Sequence, residues 1–141
     1  MGTRSKQEER PILIVTGNIG RGLGPGGWGF VICYPSGQEV EAAGAELETT
    51  GHRMALTAVI RALERLNPKE RLAVRVVSAS QYVVDGALGK AERKANEDLW
   101  AGLEERAKGR SIAWEWEPEQ TMYYQERAVE LATEVVKRLK G

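Results

Sequence analysis

The side chains of this chain that could act on a ligand are few and scattered. Gly17, Gly20, Gly22, Gly24, Gly26 and Gly27 follow the apolar run Ile12–Val15, and backbone N–H groups in such a loop could cradle phosphates. Neither GxGxxG nor GxxxxGK[ST] is present, and a strand rather than a helix follows, so a plain hairpin turn is expected. Cys33 falls inside a predicted strand and reads as a core residue rather than a reactive thiol. As the lone cysteine, it excludes an internal disulfide and a cysteine-based metal cluster. His52 sits at a helix start and reads as a solvated residue rather than a ligand or base. Trp100, Trp114 and Trp116 could stack nucleic-acid bases, yet their spacing puts them on buried faces. Tyr123 and Tyr124, in a polar loop, are better placed for an exposed contact.

Composition narrows the classes. The 141 residues suit one domain with its own core, taken as 11–141 behind a poorly ordered polar segment, 1–10. Lys and Arg number 20 and so do Asp and Glu, so the basic excess that usually accompanies phosphate binding is missing. No apolar run is long enough to span a bilayer and no signal peptide opens the sequence, which leads to the expectation of a cytoplasmic protein with no membrane partner.

The elements follow from periodicity. Ile12–Val15 and Trp28–Tyr34 read as strands joined through the glycine run, and Pro35–Gln38 as a tight turn. Gln38–Leu47 reads as an edge strand, its glutamates discouraging pairing with other chains. Leu56, Val59, Ile60 and Leu63 keep helical spacing, and Asn67-Pro68 stops that helix. A strand at 72–77, a short helix capped by Ser80, a helix at 95–107, a strand at 111–116 and a helix at 125–139 complete the order. The expected fold class is α/β: a five-stranded mixed sheet, three antiparallel strands then two parallel, flanked by helices.

Six segments carry a family resemblance: GPGGWG (24–29), ETTGHRMAL (48–56), VVSASQYV (76–83), DLW (98–100), WEW (114–116) and QERAVELA (125–132). In this order and near this spacing, the chain resembles a type 1 ribonuclease H from Ile12 to Ala132. The resemblance implies the ribonuclease H-like fold and hydrolysis of the RNA strand of an RNA–DNA hybrid by two divalent ions, Mg²⁺ or Mn²⁺, held by four carboxylates. The sequence departs from that pattern at all four places, with Gly17, Ala55, Ala79 and Val129 at the family's carboxylate positions. Glu130 points about 100° away from Val129 around a helix, and Glu46, Glu48 and Asp85 fall outside the four positions. No metal binding is expected.

The same resemblance places Thr50 and Arg53 where the family contacts a DNA-strand phosphate, and Asn18, Gly51, His52, Ser80 and Gln81 where it meets sugars and base edges. Read from residue type alone, Thr50 and Ser80 are helix caps, and Arg53 and Gln81 are exposed first-turn residues. The expectation is a catalytically inactive ribonuclease H-like domain that keeps weak binding to hybrid or duplex nucleic acid. The alternatives are a protein-interaction module using the fold without nucleic acid, and an active hybrid ribonuclease with rearranged metal ligands.

Overall fold

The computed structural model describes residues 10–118 and 123–141. The polar segment 1–9 and most of the expected 118–124 loop therefore lie outside the described residues. The elements are β1 (Ile12–Gly20), β2 (Gly24–Cys33), β3 (Glu39–Thr49), α1 (Gly51–Arg65), β4 (Val74–Ser78), α2 (Gln81–Ala87), α3 (Glu97–Ala107), β5 (Ile112–Trp116) and α4 (Tyr123–Lys140). The sheet runs β3-β2-β1-β4-β5, with β1, β2 and β3 antiparallel and β1, β4 and β5 parallel, as the sequence pattern implies.

The glycine run departs from expectation. It is not mainly a turn. Gly17 pairs with Gly29, Ile19 with Gly27 and Gly20 with Gly26, so both strands continue through the glycines and only 21–23 reverse the chain. The reason lies above the sheet. A Cβ on Gly29 would stand 2.3 Å from the carbonyl oxygen of Ala128, and one on Gly27 2.7 Å from Val136 Cγ2. Glycine is weak in a strand interior, but here it lets the backbone of α4 rest directly on the backbone of β2.

The opposite face holds the larger core. Ile12, Ile14, Phe30, Ile32, Val74 and Val76 meet Leu56, Val59 and Leu63 of α1, and Trp100 and Leu103 of α3 extend the cluster. Leu56 and Val59 are wholly buried, and each such aliphatic side chain contributes about 1.5–3 kcal/mol. The Thr50 hydroxyl caps α1 by accepting from the Arg53 N–H at 3.2 Å, and the chain leaves the helix at Leu66, shortly before Pro68.

The close contact of α4 with the β2 glycines gives a direct test. Gly29→Ala should destabilise the fold by about 2–3 kcal/mol, because its methyl meets backbone that cannot rotate away. Gly24→Ala, where a Cβ meets nothing within 4 Å and φ is not positive, should stay within about 0.5 kcal/mol of the parent. Urea denaturation of the two variants measures the difference.

Candidate functional site

β1 pairs with β4 only over Ile12–Val15, so beyond Val15 the two parallel strands part. A crevice opens at their carboxyl ends, the usual ligand position in open α/β sheets. Two adjoining hollows occupy it. One, of 350 Å³, is lined by Thr16, Gly17, Asn18, Ala79, Pro118, Gln125 and Val129. The other, of 430 Å³, is lined by Asn18, Gly51, His52, Ala79, Ser80, Gln81 and Tyr82. Asn18 and Ala79 belong to both, so the hollows share a wall.

The first hollow gathers Gly17, Ala79 and Val129, three of the positions at which the resemblance leads to an expectation of carboxylates. The fourth, Ala55, lies in the core with 1% exposure. No Asp or Glu lines this hollow, and among the described residues no group of three His, Cys, Asp and Glu side chains could hold a metal. Space is lacking as well as charge. A Cβ on Gly17 would stand 2.8 Å from Val129 Cγ2 and 2.9 Å from the Val129 backbone nitrogen. Mg²⁺ and Mn²⁺ need hard oxygen ligands, and these four positions do not fit such an ion.

The second hollow brings together five expected contact residues: Asn18, Gly51, His52, Ser80 and Gln81. Asn18 Nδ2 donates to the Gly51 carbonyl at 3.1 Å, tying β1 to the start of α1. Ser80 caps α2 by accepting from the Val83 N–H at 3.3 Å, and Gln81 is exposed in its first turn. His52 is exposed but not merely solvated. Its ring stacks on Tyr82 at 4.0 Å between centroids and 5° between planes. Tyr82 Oη in turn accepts from Trp100 Nε1 at 3.1 Å and from Asn96 Nδ2 at 3.0 Å, so the rim is held in place.

Arg53 follows His52 in α1 without itself lining the hollow, and it is already engaged. Its two terminal nitrogens meet the Asp98 carboxylate at 3.0 and 2.8 Å, and one also donates to Asn96 Oδ1 at 3.2 Å. The hydrogen bonds from Arg53 hold the Asp98 carboxyl at about 2, well below its ordinary value. Asp98, Asn96 and Tyr82 were not singled out by sequence reasoning. Two signals pointed to them: Asn96-Glu97-Asp98 opens a helix, and Tyr82 follows the SxSQ run.

Two aromatic expectations are corrected. Trp116 is 42% exposed, because it ends edge strand β5, and its Nε1 donates to the Ala79 carbonyl at 3.2 Å. Tyr123 and Tyr124 are not in a loop but open α4. Tyr123 is 73% exposed, whereas Tyr124 donates to Glu39 of β3, which pushes the phenol pKa up.

Comparison with known proteins places this architecture. The RNase H family model matches residues 15–136. The chain belongs to the ribonuclease H family. Ribonuclease H of Pseudomonas fluorescens is 36% identical over 133 residues, covering 84% of this chain and 86% of that protein. Ribonuclease H of Hydrogenovibrio crunogenus is 34% identical over 143 residues, covering 92% of this chain and 97% of that protein. The crystal structure of LC11-RNase H1 in complex with RNA/DNA hybrid matches with a TM-score of 0.82 at 26% identity, covering 92% of this chain and 99% of that one.

These relatives overturn the expectation of a catalytically inactive domain. Relatives 34–43% identical are named Ribonuclease H, which points to an active member of the family, and nothing in the structure demonstrates inactivity. Among the described residues, no helix is long and apolar enough to cross a membrane.

Two measurements test the site. The melting temperature of the free protein should stay within about 1 °C on adding millimolar Mg²⁺, since a ligand that binds only the folded state would raise it. A rise of several degrees would reveal a metal site away from the four positions. The Arg53–Asp98 pair should also resist acid. A carboxyl held below its unfolded value contributes stability that is complete above about pH 4 and lost as pH falls through about 2. Carboxyl-carbon NMR of Asp98 should therefore show a midpoint near 2 rather than near 4.

Proposed function

We propose that the substrate of this protein is an RNA–DNA hybrid and that its activity, like that of its relatives, is directed at the RNA strand. The observation that supports this most is the pair of adjoining hollows that bring Gly17, Ala79 and Val129 beside Asn18, Gly51, His52, Ser80 and Gln81. The pair runs from the family's reaction position to the residues expected to meet the minor groove. Thr50 and Arg53 flank it at the start of α1, where the helix dipole and the absence of acidic residues in the first turn favour an anion. The Thr50 hydroxyl accepts from the Arg53 N–H and keeps its own proton to donate to a phosphate oxygen. His52, held flat on Tyr82, offers an edge to a sugar hydroxyl.

The reaction of the family is hydrolysis with divalent metal. The four family positions do not supply its ligands here, so no catalytic step is assigned to Gly17, Ala55, Ala79 or Val129. Metal ligands for hydrolysis by this chain have to come from other carboxylates. A cytoplasmic setting, in which Cys33 stays reduced, belongs to the same proposal.

Gel-shift titration with RNA–DNA hybrid, duplex DNA and duplex RNA at several salt concentrations tests recognition. The expected outcome is salt-dependent binding in which hybrid is preferred, and Arg53→Ala weakens it about tenfold or more. No binding of any duplex at low salt would overturn the reading and favour a protein partner, which suits a net charge of zero. Labelled hybrid incubated with Mn²⁺ tests the chemistry. Shortened RNA that EDTA abolishes would establish hydrolysis; intact RNA with binding retained would confine the function to recognition.

A further inference from the structure

The Arg53 guanidinium, tied through Asn96 to the rim residue Tyr82, is occupied by a carboxylate of the same chain. Asp98 presents both oxygens to the two terminal nitrogens of Arg53, at 3.0 and 2.8 Å, in the fork geometry by which arginine also grips a phosphate. A phosphate arriving at this fork would find that face taken.

Two features make the occupation exchangeable. The Asp98 side chain is 65% exposed and that of Arg53 34%, so the pair is a surface ion pair of small net stability. Asp98 also lies in the first turn of α3, where its charge remains favourable after it lets go of Arg53. Arg53 does not collapse when released, because Asn96 Oδ1 still accepts from it at 3.2 Å. Asn96 itself is fixed: its backbone takes φ of 62°, a conformation asparagine tolerates, and its amide donates to Tyr82 Oη at 3.0 Å.

Resting on the hybrid reading above, we propose that Asp98 is an internal stand-in for a nucleic-acid phosphate, which holds Arg53 in its binding posture and sets hybrid affinity by competing for it. Asp98 is a positioning residue, not a catalytic one. Its competition carries a distinct salt signature. When a phosphate displaces Asp98, the phosphate sheds its counterion but the freed carboxylate gathers one. Removing Asp98 should therefore steepen the slope of log affinity against log salt by about one.

The experiment compares Kd for hybrid across the full chain and four variants, with melting curves to confirm folding. Asp98→Ala and Asp98→Asn should each tighten binding about fivefold and steepen the salt slope. Glu97→Ala removes the same charge from the same turn without touching Arg53, and should change both far less. In Arg53→Ala/Asp98→Ala, the gain from removing Asp98 should vanish. The proposal is overturned if Asp98→Ala tightens binding no more than Glu97→Ala, or if its gain persists without Arg53. Failure of every protein, parent included, to bind hybrid at low salt would overturn the hybrid reading itself.

Discussion

Everything in this molecule is arranged around the contact between the backbone of α4 and the backbone of β1 and β2. The Ala128 carbonyl lies where a Gly29 side chain would begin, and the Val129 nitrogen lies where a Gly17 side chain would begin. Close-packed interiors admit no extra methyl at such distances. Small residues, Ala128 and Ala132, face the strands from the helix side and are wholly buried. The ion pair of Arg127 with Glu41, at 2.6 Å, anchors the same helix to edge strand β3 and holds the Glu41 carboxyl below its usual range.

That seam decides what the crevice can be. By pressing Val129 onto Gly17, it leaves no room for a side chain at Gly17, on the side of the site where the family resemblance puts its metal ligands. The side toward α1 and α2 stays open, lined by polar groups whose positions are set by helix caps, by the Asn18–Gly51 hydrogen bond and by the His52–Tyr82 stack. Polar groups thus line the open side, and no Asp or Glu lines the side against α4. The chain's relatives are nonetheless named for the nuclease activity, and the two facts meet at the question of which carboxylates the chain can bring to a bound hybrid.

Charge is handled locally. With net charge zero, phosphate attraction cannot come from the whole-molecule field, so individual arginines must supply it. Among the described residues seven arginines form ion pairs, including Arg75 with Glu115, Arg93 with Glu104, Arg106 with Glu64 and Arg53 with Asp98. Of these, Arg53 directly follows His52, which lines the crevice. Its pairing keeps a cation ready while cancelling its long-range pull.

The sequence by itself determined the order of elements, the mixed sheet and the resemblance to ribonuclease H. Each rests on local periodicity, turn chemistry or short motifs that survive without knowledge of the partner surface. The run of leucine, valine and isoleucine in α1 announced its buried face, and Thr50 and Ser80 announced their caps. The tertiary structure alone decided the rest. Glycines that read as a turn became paired strand because a distant helix needed the room, and Trp116 stayed exposed because β5 turned out to end at the sheet edge. Arg53 read as an exposed first-turn residue or a phosphate contact, and its pairing with Asp98, 45 residues away, emerged only from the fold. Contacts of that separation depend on how the elements stack, and no window of neighbouring residues encodes them.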